Sequence, residues 1–251
     1  MVEQDVIVTT KHGRMPSFLA APDRPGQYPA ILFYMDAPGI REELRNMARR
    51  IAKQGYVCLL PDMYYRLGTI RLKMHRRDDA MVAVFRAAMN SLTNAMVTDD
   101  TAGMIGFLDG QEVVAPGPMG CVGYCMSGRY VTTVAARFPH RIKAAGSLYG
   151  VGIVTDAEDS PHKLLAQVQG ELYYAFAEHD QSVPDHVIPA LKEALTKAGV
   201  THTLEVYPGT QHGFAFPERA VYDTIAAEAT WEKMFAMWDR RLTLGSSPRG
   251  I

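Results

Sequence analysis

An α/β fold with one mostly parallel, twisted sheet and helices on both faces is predicted by two features of this chain. Short apolar runs of strand character alternate with amphipathic stretches whose apolar residues lie three and four apart. One of those runs also ends in a glycine-flanked turn that opens at once into a helical stretch. With 251 residues, 47% of them hydrophobic, the chain is long enough to bury one large core.

The first two strand-like runs, residues 6–9 and 17–21, have no helical stretch between them, which predicts an antiparallel hairpin at one edge of the sheet. Further runs follow at 30–35, 56–60, 119–124, 144–149, 172–177 and 203–207. Helical stretches are predicted at 41–54, 79–95, 99–108, 128–138, 185–198 and 219–242. Strand, helix, strand repetition is the pattern of right-handed βαβ units and therefore of a parallel sheet. No repeat and no linker rich in glycine, proline or serine divides the chain, so a single domain over residues 1–251 is expected, with a tail at 245–251 that frays. Residues 64–98 exceed a minimal connection and carry the basic cluster Lys73, His75, Arg76 and Arg77. Extra material at the carboxyl ends of parallel strands lies over the ligand crevice, which makes this a candidate cover segment; a solvated amphipathic excursion is the alternative.

A net charge of −1 gives no electrostatic reason to expect nucleic acid or an anionic membrane, and a small molecule is the expected partner. No apolar run reaches membrane-spanning length, and the start Met1-Val2-Glu3-Gln4-Asp5 lacks the basic and apolar parts of a signal peptide, so the expected location is the cytoplasm. A monomer is compatible with the sequence. Three cysteines, Cys58, Cys121 and Cys125, are too few and wrongly arranged for a disulfide framework or a tetrahedral zinc site. Cys58 and Cys121 fall within strand patterns and are read as inert core.

Cys125 is different. In Val122-Gly123-Tyr124-Cys125-Met126-Ser127-Gly128 it stands at the strand-to-helix switch, the setting of a nucleophile elbow. Such a turn needs small residues two positions before and after the nucleophile, and Gly123 and Ser127 supply them, although glycine is the more usual second partner. The first turn of the following helix also favours thiolate over thiol. A cysteine nucleophile needs a base and a group to orient that base. His212 is the candidate base: it follows the last strand in Pro208-Gly209-Thr210-Gln211-His212-Gly213-Phe214, before the last helix. Asp180, in the loop between the strand at 172–177 and the next helix, is the candidate acid. Glu178 competes for that role, whereas Asp185 beside Pro184 reads as a helix-start residue. The order nucleophile, acid, histidine is that of α/β-hydrolases, whose oxyanion hole uses the N–H after the nucleophile and one from an early strand-end loop. Those are Met126 and Ala37 here. Asp36, beside Ala37, would oppose the helix dipole or take up the thiol proton, unless it serves as a turn or cap residue.

With these residues placed, the chain resembles the dienelactone hydrolase family, a cysteine-using branch of the α/β-hydrolases, over roughly residues 5–242. The likeness rests on Gly123-Tyr124-Cys125-Met126-Ser127-Gly128, on Asp180 before Val183-Pro184, on His212-Gly213-Phe214-Ala215, and on Ser147-Leu148-Tyr149-Gly150-Val151-Gly152. It implies hydrolysis of a cyclic enol ester through a thioester, without cofactor or metal. It also implies that Asp36 is a shortened version of a family glutamate linked to the resting thiol. Dienelactone-specific members carry an arginine four residues after the histidine, where this chain has Phe216. Arg219, Arg76 or Arg77 are the possible replacements, and Tyr64, Tyr65, Phe214 and Phe216 the candidates for an apolar pocket, or else ordinary core. The expected substrate is accordingly a neutral or weakly polar ester or lactone. The rival readings are a catalytically silent ligand-binding protein of the same fold, a thioesterase or peptidase using the same triad, and a redox role for Cys125 with Cys121.

Overall fold

The computed structural model describes residues 1–72 and 78–242. The basic cluster at 73–77 and the tail at 245–251 lie outside the described residues.

The sheet has eight strands, β1 (Val2–Thr10), β2 (Gly13–Ala21), β3 (Ala30–Tyr34), β4 (Val57–Pro61), β5 (Met119–Tyr124), β6 (Ile142–Leu148), β7 (Glu171–His179) and β8 (His202–Gln211), in the order β1-β2-β4-β3-β5-β6-β7-β8. β1 and β2 form the expected antiparallel hairpin at one edge, β2 joins β4 antiparallel, and every later pairing is parallel. The central strands β3, β4 and β5 are buried at every residue, which is why they read as unbroken apolar runs rather than alternating ones: helices cover both of their faces. β1, at the edge, exposes most of its residues.

The helices are α1 (Glu42–Lys53), α2 (Asp79–Asn90), α3 (Asn94–Asp109), α4 (Gly128–Arg137), α5 (Val187–Ala198) and α6 (Thr224–Leu242). The break between α2 and α3 comes earlier than the apolar spacing suggested. Thr93 caps α3 by accepting from the Met96 N–H at 3.1 Å, so the helix begins at Asn94 instead of near Asp99. α6 begins later than residue 219: Asp223 accepts from the Ala226 N–H at 2.9 Å and sets the start at Thr224. Residues 213–222 are instead a series of tight turns, which frees Arg219 to reach back toward β3. β8 runs on to Gln211, past Pro208 and Gly209, because a register shift opposite Ala177 and His179 absorbs them and Glu178 accepts the Gly209 N–H at 2.7 Å.

Within the segment 64–98, the turn Tyr65–Leu67 is tied to α3 by a bidentate Arg66–Asp100 pair at 2.8 Å and by Tyr65, whose hydroxyl meets both Asp100 and Thr10. α2 turns Val84 to solvent and reaches the core through Ala88. Among the described residues no helix is long and apolar enough to cross a membrane.

The chain leaves β3 for β4 on one side and returns to β5 on the other. The carboxyl ends of β3 and β5 therefore border the place where strand order reverses, which is where open α/β sheets carry their ligand crevice.

Candidate active site

Cys125 follows β5 at that point and, among the described residues, is one of two non-glycine residues with positive φ, at 55°. Such a conformation is costly for an L residue and persists only where the surroundings enforce it. They do so here. The Cys125 carbonyl accepts from the N–H groups of Gly128 and Val151, the latter at 3.0 Å. A Cβ on Gly123 would lie 2.6 Å from the Ser127 carbonyl oxygen, and one on Gly128 only 2.3 Å from the Gly150 Cα. The glycines of the elbow and of the Ser147–Gly152 stretch thus allow two backbones to touch. The serine at the usual glycine position has its own reason: buried Ser127 donates its hydroxyl to the carbonyl of Met35, at the end of β3. It ties the elbow to the loop that carries Ala37.

His212 stands immediately after β8, with its Nδ1 2.7 Å from Oδ2 of Asp180, which follows β7. Asp180 also accepts the Ser182 N–H on its other oxygen at 2.9 Å. Glu178, the competing acid, is turned to the Gly209 N–H instead. Burial alone disfavours an imidazolium at His212, but hydrogen bonding to Asp180 and to Cys125 outweighs it and raises the pKa to about 9. The imidazole is further held by Tyr149, whose ring meets it edge-on at 5.0 Å, and Tyr149 is itself strained, at φ 37°.

Asp36 is fully buried, yet its carboxylate is committed elsewhere than to the thiol. Arg41 approaches at 2.5 Å and 3.1 Å, and Arg219 at 3.1 Å. Arg41 in turn meets Glu218 at 2.5 Å. The two guanidinium groups each lie 5.1 Å from the centre of the Phe216 ring, a cation–π arrangement that places Phe216 beneath a closed cluster of two cations and two anions. Of the two readings held open for Asp36, its carbonyl fits the turn, accepting the Gly39 N–H at 3.0 Å. Gly213, at φ 92°, makes room for this cluster: a Cβ there would lie 2.7 Å from Arg219 Nη1.

Of the aromatic residues named as pocket candidates, Tyr64, Phe214 and Phe216 are core in this structure, whereas Tyr65 is half-buried with its hydroxyl on Thr10 and Asp100. Phe214 and Phe216 have no exposed surface and pack on Tyr149 and Tyr124, and Tyr64 is 1% exposed. The sequence offered no sign of Arg41, which read as the start of α1 but returns its side chain to Asp36, nor of the contact between Tyr149 and His212. Met126, within the elbow, and Ala37, in the loop after β3, are both buried.

A strand-to-helix elbow carrying the would-be nucleophile and a histidine–carboxylate pair at the ends of two later strands, β7 and β8, define an α/β-hydrolase. The match of a family model, Dienelactone hydrolase family, over residues 15–242 shows that the chain belongs to that family. A Synechocystis protein named "Putative carboxymethylenebutenolidase" is 28% identical over 240 residues, covering 94% of this chain and 96% of that one. A Methylorubrum extorquens protein of the same name is 26% identical over 238 residues, covering 93% of this chain and 79% of its own. The crystal structure of a "Putative Dienelactone Hydrolase" from Klebsiella pneumoniae superposes with a TM-score of 0.85 at 23% identity, covering 95% of this chain and 98% of the other.

Proposed function

We propose that this hydrolase cleaves a small ester or lactone through Cys125, His212 and Asp180, by way of an acyl-thioester. The observation that carries the reading is the 2.7 Å contact between His212 and Asp180 on loops adjoining a strained Cys125. His212 takes the Cys125 proton, and its hydrogen bonds to Asp180 and Cys125 favour the imidazolium that results. The thiolate attacks the ester carbonyl carbon, and the N–H groups of Met126 and Ala37 receive the developing oxyanion. Collapse expels the alkoxide or ring-opened enolate, which takes the proton from His212, and a water activated by His212 then releases the acid. Asp180 orients the imidazole throughout.

The substrate reading is a neutral or weakly polar ester or lactone. Phe216 occupies the position of the family's carboxylate-binding arginine, and Arg41 and Arg219 nearby already have Asp36 and Glu218 as partners. The names of the relatives favour a lactone. A cytoplasmic setting and a small-molecule partner are in keeping with this chemistry.

The test is intact-protein mass after brief exposure to p-nitrophenyl acetate. One acetyl adduct on the wild type, absent from Cys125→Ala, is expected; p-nitrophenol release by Cys125→Ala at the wild-type rate refutes the nucleophile. For the substrate class, dienelactone turned over with higher kcat/KM than neutral aryl esters refutes the neutral reading.

A further inference from the structure

Tyr64 lies where the two arms of the proposed oxyanion hole approach one another. Its hydroxyl donates to the Ala37 carbonyl at 2.7 Å, and the same oxygen is 3.3 Å from Sδ of Met126. The side chain is 1% exposed, and its ring lies 3.5 Å from where a Cβ on Gly39 would stand. The residue is itself anchored: its N–H donates to Asp62 at 3.2 Å, and Asp62 is paired with Arg71 at 2.8 Å.

The backbone around Ala37 needs such an anchor. Its N–H belongs to the peptide joining it to Asp36, and that peptide's carbonyl is held by the Gly39 N–H at 3.0 Å. The next peptide leads into Pro38, which has no N–H, so only its carbonyl is available to fix it, and Tyr64 takes that carbonyl. Both peptide planes of Ala37 are thereby held. The same phenol, through the Met126 side chain, bears on the other donor residue.

We infer that Tyr64 is a positioning residue for acyl transfer, its phenol clamping Ala37 and Met126 so that their N–H groups are in place before charge develops on the substrate oxygen. The inference rests on the reading of Cys125, Met126 and Ala37 given above. Burial, with a smaller contribution from Asp36, pushes the phenol's pKa up, so that it stays a donor and exchanges no proton in the reaction. Donors held in advance act on the transition state more than on the bound ester, so loosening them lowers kcat and leaves KM nearly unchanged.

The experiment compares two reactions of Cys125 in the full chain, wild type and Tyr64→Phe. Acylation by p-nitrophenyl acetate builds an oxyanion; alkylation by iodoacetamide displaces iodide at a saturated carbon and builds none. Acylation about tenfold slower in Tyr64→Phe, equivalent to about 1.4 kcal/mol in the barrier, with unchanged alkylation rate and alkylation pH profile, is the expected result. Equal slowing of both reactions, or no slowing of either, overturns the inference. A wild type that is alkylated but never acylated at Cys125 defeats the hydrolase reading itself, a failure seen in the parent and not only in the variant. Should circular dichroism find Tyr64→Phe unfolded, Met126→Leu is put through the same pair of reactions. Slower acylation with unchanged alkylation is again expected, and wild-type rates in both overturn the inference.

Discussion

The imidazole Nδ1 of His212 lies 2.7 Å from the Asp180 carboxylate although the two residues are 32 apart in sequence, because β7 and β8 are parallel neighbours and deliver both residues to the same end of the sheet. That contact, together with Cys125, holds the His212 pKa at about 9, above its ordinary 6.5, against the opposing effect of burial.

A pH dependence of stability follows. A group whose pKa is raised on folding stabilises the folded state fully below its unfolded value and loses that contribution as pH rises through the folded one. The stabilisation from His212 should therefore be complete below about pH 6.5 and fade on the way to about pH 9. Asp180→Asn removes the carboxylate whose hydrogen bond is the largest single cause raising that pKa. The difference in Tm between wild type and Asp180→Asn, measured from pH 6 to pH 10, should shrink across that window; a difference that grows with pH contradicts the assignment.

Ser127→Gly restores the more usual elbow residue but leaves the Met35 carbonyl buried without its hydroxyl donor. An unmade buried hydrogen bond costs about 1–3 kcal/mol, so the variant should be less stable by that order in urea unfolding. Wild-type stability would mean that the serine contributes nothing beyond its size.

Asp36→Ala removes the carboxylate shared by Arg41 and Arg219. Breaking a buried ion pair from one side typically costs about 3–5 kcal/mol, because it leaves buried charge uncompensated. A large fall in the urea midpoint is expected, while iodoacetamide alkylation of Cys125 near pH 7 in the folded variant should change less than about twofold, since the Asp36 carboxylate is engaged by arginines. A large change in thiol reactivity would restore Asp36 to the role of thiol partner.

The chain itself determined the sheet, the elbow and the candidate residues. Apolar runs at β3 to β8 and helical spacing between them are local properties, legible because burial on one or both faces leaves a period in the sequence. Cys125 was recognisable because a strained turn tolerates only small neighbours at Gly123 and Ser127, a steric demand written into six consecutive residues. Tertiary structure decided what each polar side chain meets. Asp180 is the preferred acid and Glu178, two residues earlier, its competitor; the register of β7 against β8 directs the one to His212 and the other to Gly209. Asp36 read equally as a group acting on the thiol or as a turn or cap residue, because the arginines that claim it come from the start of α1 and from a turn 183 residues away. Phe214 and Phe216 read equally as pocket or core, and packing on Tyr149 made them core. Steric and hydrophobic demands are met locally and leave a trace along the chain, whereas charges and hydrogen-bonding groups take whichever partner the fold brings within reach.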